Sequence, residues 1–198
     1  MQTGINIEDH GYVLQGNKVG FSLIHGLGGT PVEMRLVADG LHAAGYTVAC
    51  PQLAGHCGGY DDLKVTSWQD WAQSAETALL ELSKSCSTIF VGGLSTGAIL
   101  SLHLAAKHPD IVSSAVLYAP TLWLNGWVIP KYAKFFDLVY MKSFANLIGF
   151  PDLPPHGIKD PEIRARVHAA IQSGDSSLAG IPVTPGGAVL EHRRLVNS

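Results

Sequence analysis

Residues 87–100 read STIFVGGLSTGAIL and contain the strongest structural signal in the sequence. It joins a short apolar run to a helical run through Gly93-Leu94-Ser95-Thr96-Gly97, which matches the pattern GxSxG. A sharp turn from strand to helix projects the Oγ of Ser95 out of the backbone, and a glycine on each side leaves room for the turn. The helix that begins at Thr96 points its first N–H groups and its positive dipole end at the same place. The pattern therefore predicts a serine nucleophile; the alternative is an ordinary turn between a strand and a helix.

The segments around this turn alternate short β-branched runs with amphipathic helical runs. This alternation is typical of a parallel sheet covered by helices, so we predict the α/β class. Between the first two strands, Gly16-Asn17 predicts a hairpin-type turn. The predicted strands are residues 12–14, 19–24, 46–50, 87–91 and 113–119. Three helices are predicted to begin after residues 30, 66 and 160, and two more to cover residues 98–107 and about 188–196.

Local signals mark the ends of two of these helices. Thr30-Pro31-Val32-Glu33 predicts a capping box with proline at the first helical position, and Gly45 predicts the end of the same helix. The helix that opens at Thr66-Ser67 is expected to bury one apolar stripe. Its members are Trp68, Trp71, Ala72, Ala75, Leu79 and Leu82.

A second glycine-rich loop, His25-Gly26-Leu27-Gly28-Gly29, follows the predicted strand Val19–Ile24. Such a loop can aim the N–H of Leu27 at the point that the N–H of Thr96 faces. Two donors that converge there stabilise a tetrahedral oxyanion, and the loss of one typically costs roughly 2.7–4 kcal/mol. We expect His25 to brace the loop rather than to act as a base, because it precedes Ser95 on a neighbouring strand end.

The same loop has a competing interpretation as a dinucleotide phosphate loop, since Gly26-x-Gly28 lies between a strand and a helix. Two observations argue against it. Pro31 occupies the position of the third glycine, and the strand that ends near Cys50 leads into Pro51-Gln52 rather than into an acid for a ribose hydroxyl.

Composition excludes several classes of protein. With 198 residues, 46% hydrophobic and 15% charged, the chain fits one well-buried domain. A net charge of −3 gives no case for binding nucleic acid or an anionic membrane. No basic and apolar leader and no run of membrane-spanning length is visible. Cys50, Cys57 and Cys86 are scattered, which argues against disulfides and a zinc site and favours a cytoplasmic protein.

The pattern changes after residue 120. Residues 121–159 are aromatic and interrupted by prolines, and we interpret them as a helical insertion over the carboxyl edge of the sheet. We therefore divide the chain into a core (residues 1–120), a helical cap or lid (residues 121–186) and the start of a returning core helix (residues 187–198).

Four segments together carry a resemblance to a known family. They are HGLGGTPVEM (residues 25–34), PQLAGH (51–56), TSWQDW (66–71) and GLSTGA (93–98). In order and spacing they resemble the bacterial carboxylesterase and monoacylglycerol-lipase-like branch, also called serine aminopeptidase-like, of the α/β-hydrolases. Residues 119–130 and 156–167 are similar to the cap of that branch. Two positions depart from the pattern: Thr96 stands where methionine or glutamine is common, and Cys57 stands where glycine usually follows the histidine.

The resemblance implies an α/β-hydrolase fold, with a mostly parallel eight-stranded sheet, helices on both faces and a helical cap. It implies Ser95 as the nucleophile and the amides of Leu27 and Thr96 as oxyanion donors. It further implies a small-molecule ester as substrate, chemistry that needs no metal or cofactor, and a monomer for the full-length family.

A serine nucleophile also needs a base and an orienting carboxylate, which in this fold follow two later strands in the order acid, then histidine. After residue 119 we find no strand of the right length. Residues 180–184 come nearest, but Pro182 and Pro185 interrupt the strand pattern. We therefore interpret the chain as a C-terminally truncated hydrolase. Residues 113–119 would then form an open apolar sheet edge.

None of the remaining histidines and acids is expected to complete a triad. His168 and His192 lie beside arginines on predicted helices, which is typical of a solvated face. Asp160 is expected to cap a helix, and Glu191 to be an exposed helical charge. The other candidates are His103 and His108, expected at the surface, and Asp152 and His156 in the cap.

These observations leave three hypotheses. The first is an ester hydrolase that forms an acyl-enzyme on Ser95. The second is a non-catalytic truncated hydrolase that binds an apolar ligand or a partner through its cap. The third, an acyltransferase or a peptidase on the same fold, is disfavoured because no charged cluster lies near the site.

Overall fold

The computed structural model describes residues 9–122, 142–151, 159–162, 164–166, 169 and 180–198. The strands are β1 (Tyr12–Leu14), β2 (Val19–Ile24), β3 (Thr47–Cys50), β4 (Thr88–Leu94), β5 (Val112–Tyr118), β6 (Gly149–Pro151) and β7 (Val183–Pro185). The helices are a 3₁₀ turn (Pro31–Met34), α1 (Arg35–Ala43), α2 (Tyr60–Val65), α3 (Trp68–Ser83), α4 (Thr96–Lys107), α5 (Lys142–Ala145) and α6 (Gly186–Val196).

Strands β1 to β5 form one sheet in the order β1-β3-β2-β4-β5. β3, β2, β4 and β5 run parallel, and β1 pairs antiparallel with β3. The parallel sheet and its helices confirm the predicted α/β class. The carboxyl ends of β2 and β4 lie side by side, with Ile24 paired to Gly93, and this pairing brings the two glycine-rich loops together.

The predicted hairpin at Gly16-Asn17 is wrong, because β3 lies between β1 and β2. The side chain of Asn17 instead accepts a hydrogen bond from the N–H of Val19 at 2.8 Å, which makes an Asx turn. The Gly16 N–H donates to the hydroxyl of Thr47 at 2.9 Å. These bonds redirect the chain past β3 instead of folding it back on β1.

The start of the helix after Thr30 differs in part from the predicted capping box. Thr30 does cap it, since its side chain accepts from the N–H of Val32, and Pro31 occupies the first turn. The carboxylate of Glu33, however, accepts from the N–H of Gly26 at 2.9 Å. Gly45 ends α1 as predicted, with a φ of 93° that favours glycine.

Two apolar clusters sandwich the sheet. On one face α3 and α4 pack against β2 and β4, and the predicted stripe of α3 is buried there, with Trp68 partly buried. On the other face Met34 and Ala38 pack against Val48 and Cys50. Ser67 and Asp70 form a capping box at the start of α3. Helix α2, which the sequence analysis did not identify, precedes α3.

In the described part of the chain, β5 pairs with β4 alone and forms the edge of the sheet. Val116 and Tyr118 on this strand are 42% and 36% exposed. In the described residues the expected open edge is present, but it is only partly apolar, because Ser113 and Ser114 are exposed there as well.

The segment after β5 contains two strands of three residues each that the sequence analysis did not predict. β6 and β7 form a two-stranded antiparallel sheet in which Phe150 pairs with Thr184. Proline is tolerated in β7 because each strand of a two-stranded sheet has a free edge, where no N–H is needed for the ladder. Asp160 caps a helical turn as predicted, since its carboxylate accepts from the N–H of Glu162 at 2.9 Å.

The following observations concern the described residues only. All three cysteines are free and buried. In the described ranges no helix has the length and hydropathy of a membrane span. No group of three or more histidine, cysteine or acidic side chains is placed there to hold a metal ion. The division at residues 120 and 186 remains a prediction.

Candidate active site

Ser95 lies at the tip of the turn between β4 and α4. Its backbone has φ 56° and ψ −111°, a region that non-glycine residues rarely adopt. Such a conformation costs of order 1–3 kcal/mol and persists only where the surrounding structure enforces it. The Ser95 N–H donates to the carbonyl of Tyr118 at 2.9 Å, which ties the turn to the end of β5.

The two glycines of the motif are required by close backbone contacts. A Cβ at Gly93 would overlap the backbone of Gly97, and a Cβ at Gly97 would overlap the carbonyl of Ile24. Backbone atoms cannot rotate away as a flexible side chain can. The start of α4 is therefore pressed against the end of β2, as the GxSxG pattern requires.

The imidazole of His25 is fully buried and holds the loop that follows β2. Its Nδ1–H donates to the carbonyl of Gly26 at 2.9 Å, and its Nε2 accepts from the N–H of Leu53 at 3.2 Å. Burial, with a smaller contribution from the neighbouring His56, lowers the pKa of His25 to about 3. A neutral imidazole whose two nitrogens are both engaged braces the loop, as predicted.

The Gly26 peptide is held on both sides. Its carbonyl accepts from His25 and, at 3.2 Å, from the N–H of Gly29. Because a trans peptide points its N–H and C=O in opposite directions, these bonds direct the N–H of Leu27 away from His25. The Gly26 N–H donates to Glu33 at 2.9 Å. A Cβ at Gly26 would lie 3.7 Å from the Cβ of Ser95, so the loop lies beside Ser95.

A later segment also contacts this loop. The N–H of Ile181 donates to the carbonyl of Gly28 at 3.0 Å. Gly180 has a φ of 80° and lies so close to that carbonyl that a Cβ would overlap it. The sequence analysis missed this contact, although the glycine before the proline-rich segment is a signal for a close backbone approach.

The hydroxyl of Ser95 lies 2.8 Å from the hydroxyl of Thr121. The carbonyl of Thr121 is 2.9 Å from the Nε2 of His192, and the Nδ1 of His192 is 2.9 Å from the hydroxyl of Thr96. The sequence analysis did not select Thr121. A polar residue three positions after the end of β5 was the available signal.

The prediction that His192 lies on a solvated face is wrong, because its side chain is 2% exposed. Burial lowers the pKa of His192. Ala188, His192 and Leu195 follow the i, i+4, i+7 spacing of one helical stripe, and all three are buried. The neighbouring arginines suggested an exposed helix face, so the sequence analysis did not identify this buried stripe.

Glu191 was predicted as an exposed helical charge, which is also wrong, since it is 2% exposed. Its carboxylate accepts from the N–H of Trp68 at 3.3 Å and pairs with Arg194 at 2.6 Å. Trp68 opens α3, and a carboxylate is favourable at a helix N-terminus.

The other candidate bases lie elsewhere. His103 packs edge-on against Trp68 at 5.4 Å, and His108 pairs with Glu76 at 2.5 Å. Asp152, His156 and His168 lie outside the described residues. Within the ranges that the structure describes, neither an imidazole nor a carboxylate is hydrogen-bonded to the Ser95 hydroxyl.

The loop after β3 contains the second departure from the family pattern. Cys57 has a φ of 63°, in the left-handed region that favours glycine, and its side chain is buried. Next to it, His56 packs edge-on against His25 at 4.9 Å and against Trp71 at 5.8 Å.

The chain is similar in sequence to a known family and to two curated proteins. Residues 18–173 match the family model described as serine aminopeptidase, S33. The chain is 45% identical over 128 residues to the thermostable monoacylglycerol lipase of Bacillus sp. (strain H-257), covering 61% of this chain and 51% of the relative. It is 29% identical over 99 residues to a carboxylesterase of Bacillus subtilis (strain 168), covering 50% and 40%. The chain thus spans about half the length, or less, of these curated relatives.

Solved structures show the same fold. The monoacylglycerol lipase of Paleococcus ferrophilus aligns with a TM-score of 0.70 at 19% identity, covering 95% of this chain and 71% of that one. A soluble variant of monoglyceride lipase from Saccharomyces cerevisiae aligns with a TM-score of 0.69 at 21% identity, covering 94% and 64%. The expected α/β-hydrolase fold is therefore confirmed.

Proposed function

Because the chain belongs to the serine aminopeptidase S33 family of α/β-hydrolases, we propose that it cleaves carboxylic esters of small molecules through an acyl-enzyme on Ser95. The observation that carries this proposal is the backbone of Ser95, with φ 56° at the tip of the strand-to-helix turn. A strained serine held there by close glycine contacts is what a nucleophile elbow requires. The relatives named as a monoacylglycerol lipase and a carboxylesterase support an ester as the substrate.

We propose the backbone N–H groups of Leu27 and Thr96 as the oxyanion donors. Thr96 is the first residue of α4, where the N–H groups lack helical partners and the dipole favours negative charge. The hydrogen bonds to the Gly26 carbonyl turn the Leu27 N–H away from His25, and Gly26 lies beside Ser95. Each donor would contribute about 2.7–4 kcal/mol to transition-state stabilisation.

The reaction then has two halves. The Oγ of Ser95 adds to the ester carbonyl while its proton passes to a general base, and the departing alcohol takes that proton as the acyl-enzyme forms. Water adds to the acyl carbonyl in the second half, and its proton returns to Ser95 through the same base. Thr121 cannot be this base because a hydroxyl is not basic near neutral pH. Because no described imidazole or carboxylate is hydrogen-bonded to the Ser95 hydroxyl, we propose that the base comes from outside the described residues.

The proposed cap, residues 121–186, would cover this site. The hydrogen bond from Ile181 to Gly28 supports this arrangement because it ties the end of that segment to the proposed oxyanion loop. An apolar lining in the cap would favour an ester with an apolar acyl chain.

One observation favours a second candidate function, the non-catalytic binding of an apolar ligand. In the described part of the chain the partner of the Ser95 hydroxyl is Thr121, not an imidazole. A chain without a base would bind the ester and leave it intact. This alternative predicts thermal stabilisation by the ligand with no ester turnover.

A fluorophosphonate probe and a p-nitrophenyl ester test both candidates. We expect labelling at Ser95, located by peptide mass spectrometry, and loss of both labelling and turnover in Ser95→Ala. Ser113→Ala, at an exposed serine of β5, is the control and retains both. Labelling that persists unchanged in Ser95→Ala rejects Ser95 as the nucleophile. An unlabelled parent protein that the ester stabilises against heat supports the binding alternative.

A further inference from the structure

A chain of hydrogen bonds links α6 to Ser95. His192 on α6 bonds to the Thr96 hydroxyl and to the Thr121 carbonyl, each at 2.9 Å. The hydroxyl of Thr121 bonds in turn to the Ser95 hydroxyl at 2.8 Å. One imidazole thus contacts the residue that follows the nucleophile and the residue that holds its hydroxyl.

The chemistry of the partners fixes the proton on His192. A carbonyl only accepts, so the Nε2 of His192 carries the hydrogen and donates it to Thr121. The Nδ1 is then a lone pair, and the hydroxyl of Thr96 donates to it. A single neutral tautomer therefore satisfies both bonds, and both side chains are 2% exposed.

The position of His192 does not itself call for a polar side chain. Ala188 and Leu195, on the same buried stripe of α6, are apolar. A buried imidazole is unfavourable unless both nitrogens find partners. Here the partners are the two residues that flank the proposed reaction centre, which gives the imidazole a specific role.

We propose that His192 is a positioning residue for the reaction at Ser95, an inference that rests on the proposed function. Through Thr96 it fixes the first residue of α4, which carries one proposed oxyanion donor. Through Thr121 it fixes the hydroxyl that holds the Ser95 Oγ in one orientation. His192 does not touch Ser95 and is not a catalytic residue. It makes α6, which packs against α3 and α4, part of the support of the nucleophile.

The first test compares His192→Phe with His192→Gln in the full chain. Phenylalanine fills the space but makes neither hydrogen bond, whereas glutamine offers one acceptor and one donor, as the neutral imidazole does. We expect His192→Phe to lower the limiting rate of Ser95 labelling about 10- to 100-fold, as for a small misplacement of reacting groups, with the half-saturating probe concentration unchanged. Glutamine should restore most of the rate.

Leu195→Ala is the matched control, since Leu195 is buried on the same helix, 3% exposed, and its apolar side chain cannot form a hydrogen bond with His192, Thr96 or Thr121. It should lower the melting temperature and leave the labelling rate of the folded protein unchanged. An equal loss of rate in Leu195→Ala and His192→Phe would mean that general destabilisation explains the effect, and the proposal would be overturned.

A second test does not depend on reactivity. Thr96→Val removes the hydroxyl and keeps the backbone N–H, so in a double-mutant cycle on unfolding free energy its effect and that of His192→Phe should not be additive. Nitrogen NMR of His192 should show a neutral ring with the proton on Nε2. If the probe does not label the parent protein, this result rejects the proposed function but not the role of His192. A proton on Nδ1, or additive effects of the two substitutions, rejects the role of His192.

Discussion

Mild acid should destabilise the protein through two buried histidines, His25 and His56. Burial lowers the pKa of His25 to about 3 and that of His56 to about 4, from an ordinary value of 6.5. Protonating His25 would remove the acceptor of the Leu53 N–H. In the described part of the chain the Nε2 of His56 is buried without a hydrogen-bond partner, so a proton there would be unsatisfied.

The sign and the size of this loss of stability follow from the linkage between proton binding and folding. Between the ordinary pKa and the lowered one, the unfolded state binds protons that the folded state does not, so stability falls as the pH falls. Each pH unit in this window costs about 1.36 kcal/mol per histidine. From pH 7 to pH 5 each histidine should therefore remove about 2 kcal/mol, a large share of a typical stability of about 5–15 kcal/mol.

Urea unfolding at pH 7 and pH 5 measures this loss. His56→Asn keeps a donor for the Ala54 carbonyl, which the Nδ1 of His56 contacts at 3.1 Å, but cannot titrate in this range. Its loss between the two pH values should be smaller than that of the parent by about 2 kcal/mol. His42→Asn, at an exposed position of α1, is the control and should behave as the parent. A loss in His56→Asn equal to that of the parent would refute the assignment of a buried neutral imidazole.

Three further predictions concern single contacts. Gly97→Ala should lower the unfolding free energy, measured with urea, by about 1–3 kcal/mol or more, because its Cβ would meet the Ile24 carbonyl; a near-parental stability would contradict the close contact. Glu33→Gln should weaken the charge-assisted hydrogen bond from the Gly26 N–H, lower the unfolding free energy by about 1 kcal/mol and slow the labelling of Ser95. An unchanged labelling rate would show that Glu33 does not position the loop. Glu76→Gln should cost about 1–3 kcal/mol at pH 7. The bond to Lys107 is the main reason that the pKa of Glu76 is lowered, so this difference should vanish as acid protonates the parent carboxylate, and a difference that persists in acid would contradict it.

The strand-to-helix turn was predictable because its requirements are local. Gly93 and Gly97 lie within two residues of Ser95, and the turn that needs them has one sequence pattern. The same holds for the 3₁₀ turn before α1 and for α3, whose first residues are capped by the adjacent Thr30 and Ser67. At such positions the sequence and the structure agree because the interacting atoms are neighbours along the chain.

The surroundings of the site were not predictable on the same basis. His192 and Thr96 are 96 positions apart, and the hydrogen bond between them depends on where α6 packs. Charged neighbours suggested a solvated helix face for His192 and Glu191, but the tertiary contacts of α6 bury both. The hairpin at Gly16-Asn17 failed for a related reason, because strand order is decided by which strands pair and not by the turn between them.

Ser95 lies where distant segments of the chain meet, and this explains how its strained backbone is maintained. Its N–H bonds to the end of β5, Gly97 presses on the end of β2, and its hydroxyl bonds to Thr121, which α6 holds. A positive φ that costs of order 1–3 kcal/mol cannot be held by five residues alone. The geometry of Ser95 thus depends on the assembled sheet and on α6 together, so we expect a substitution of His192 to change the reactivity of Ser95 without direct contact between the two residues.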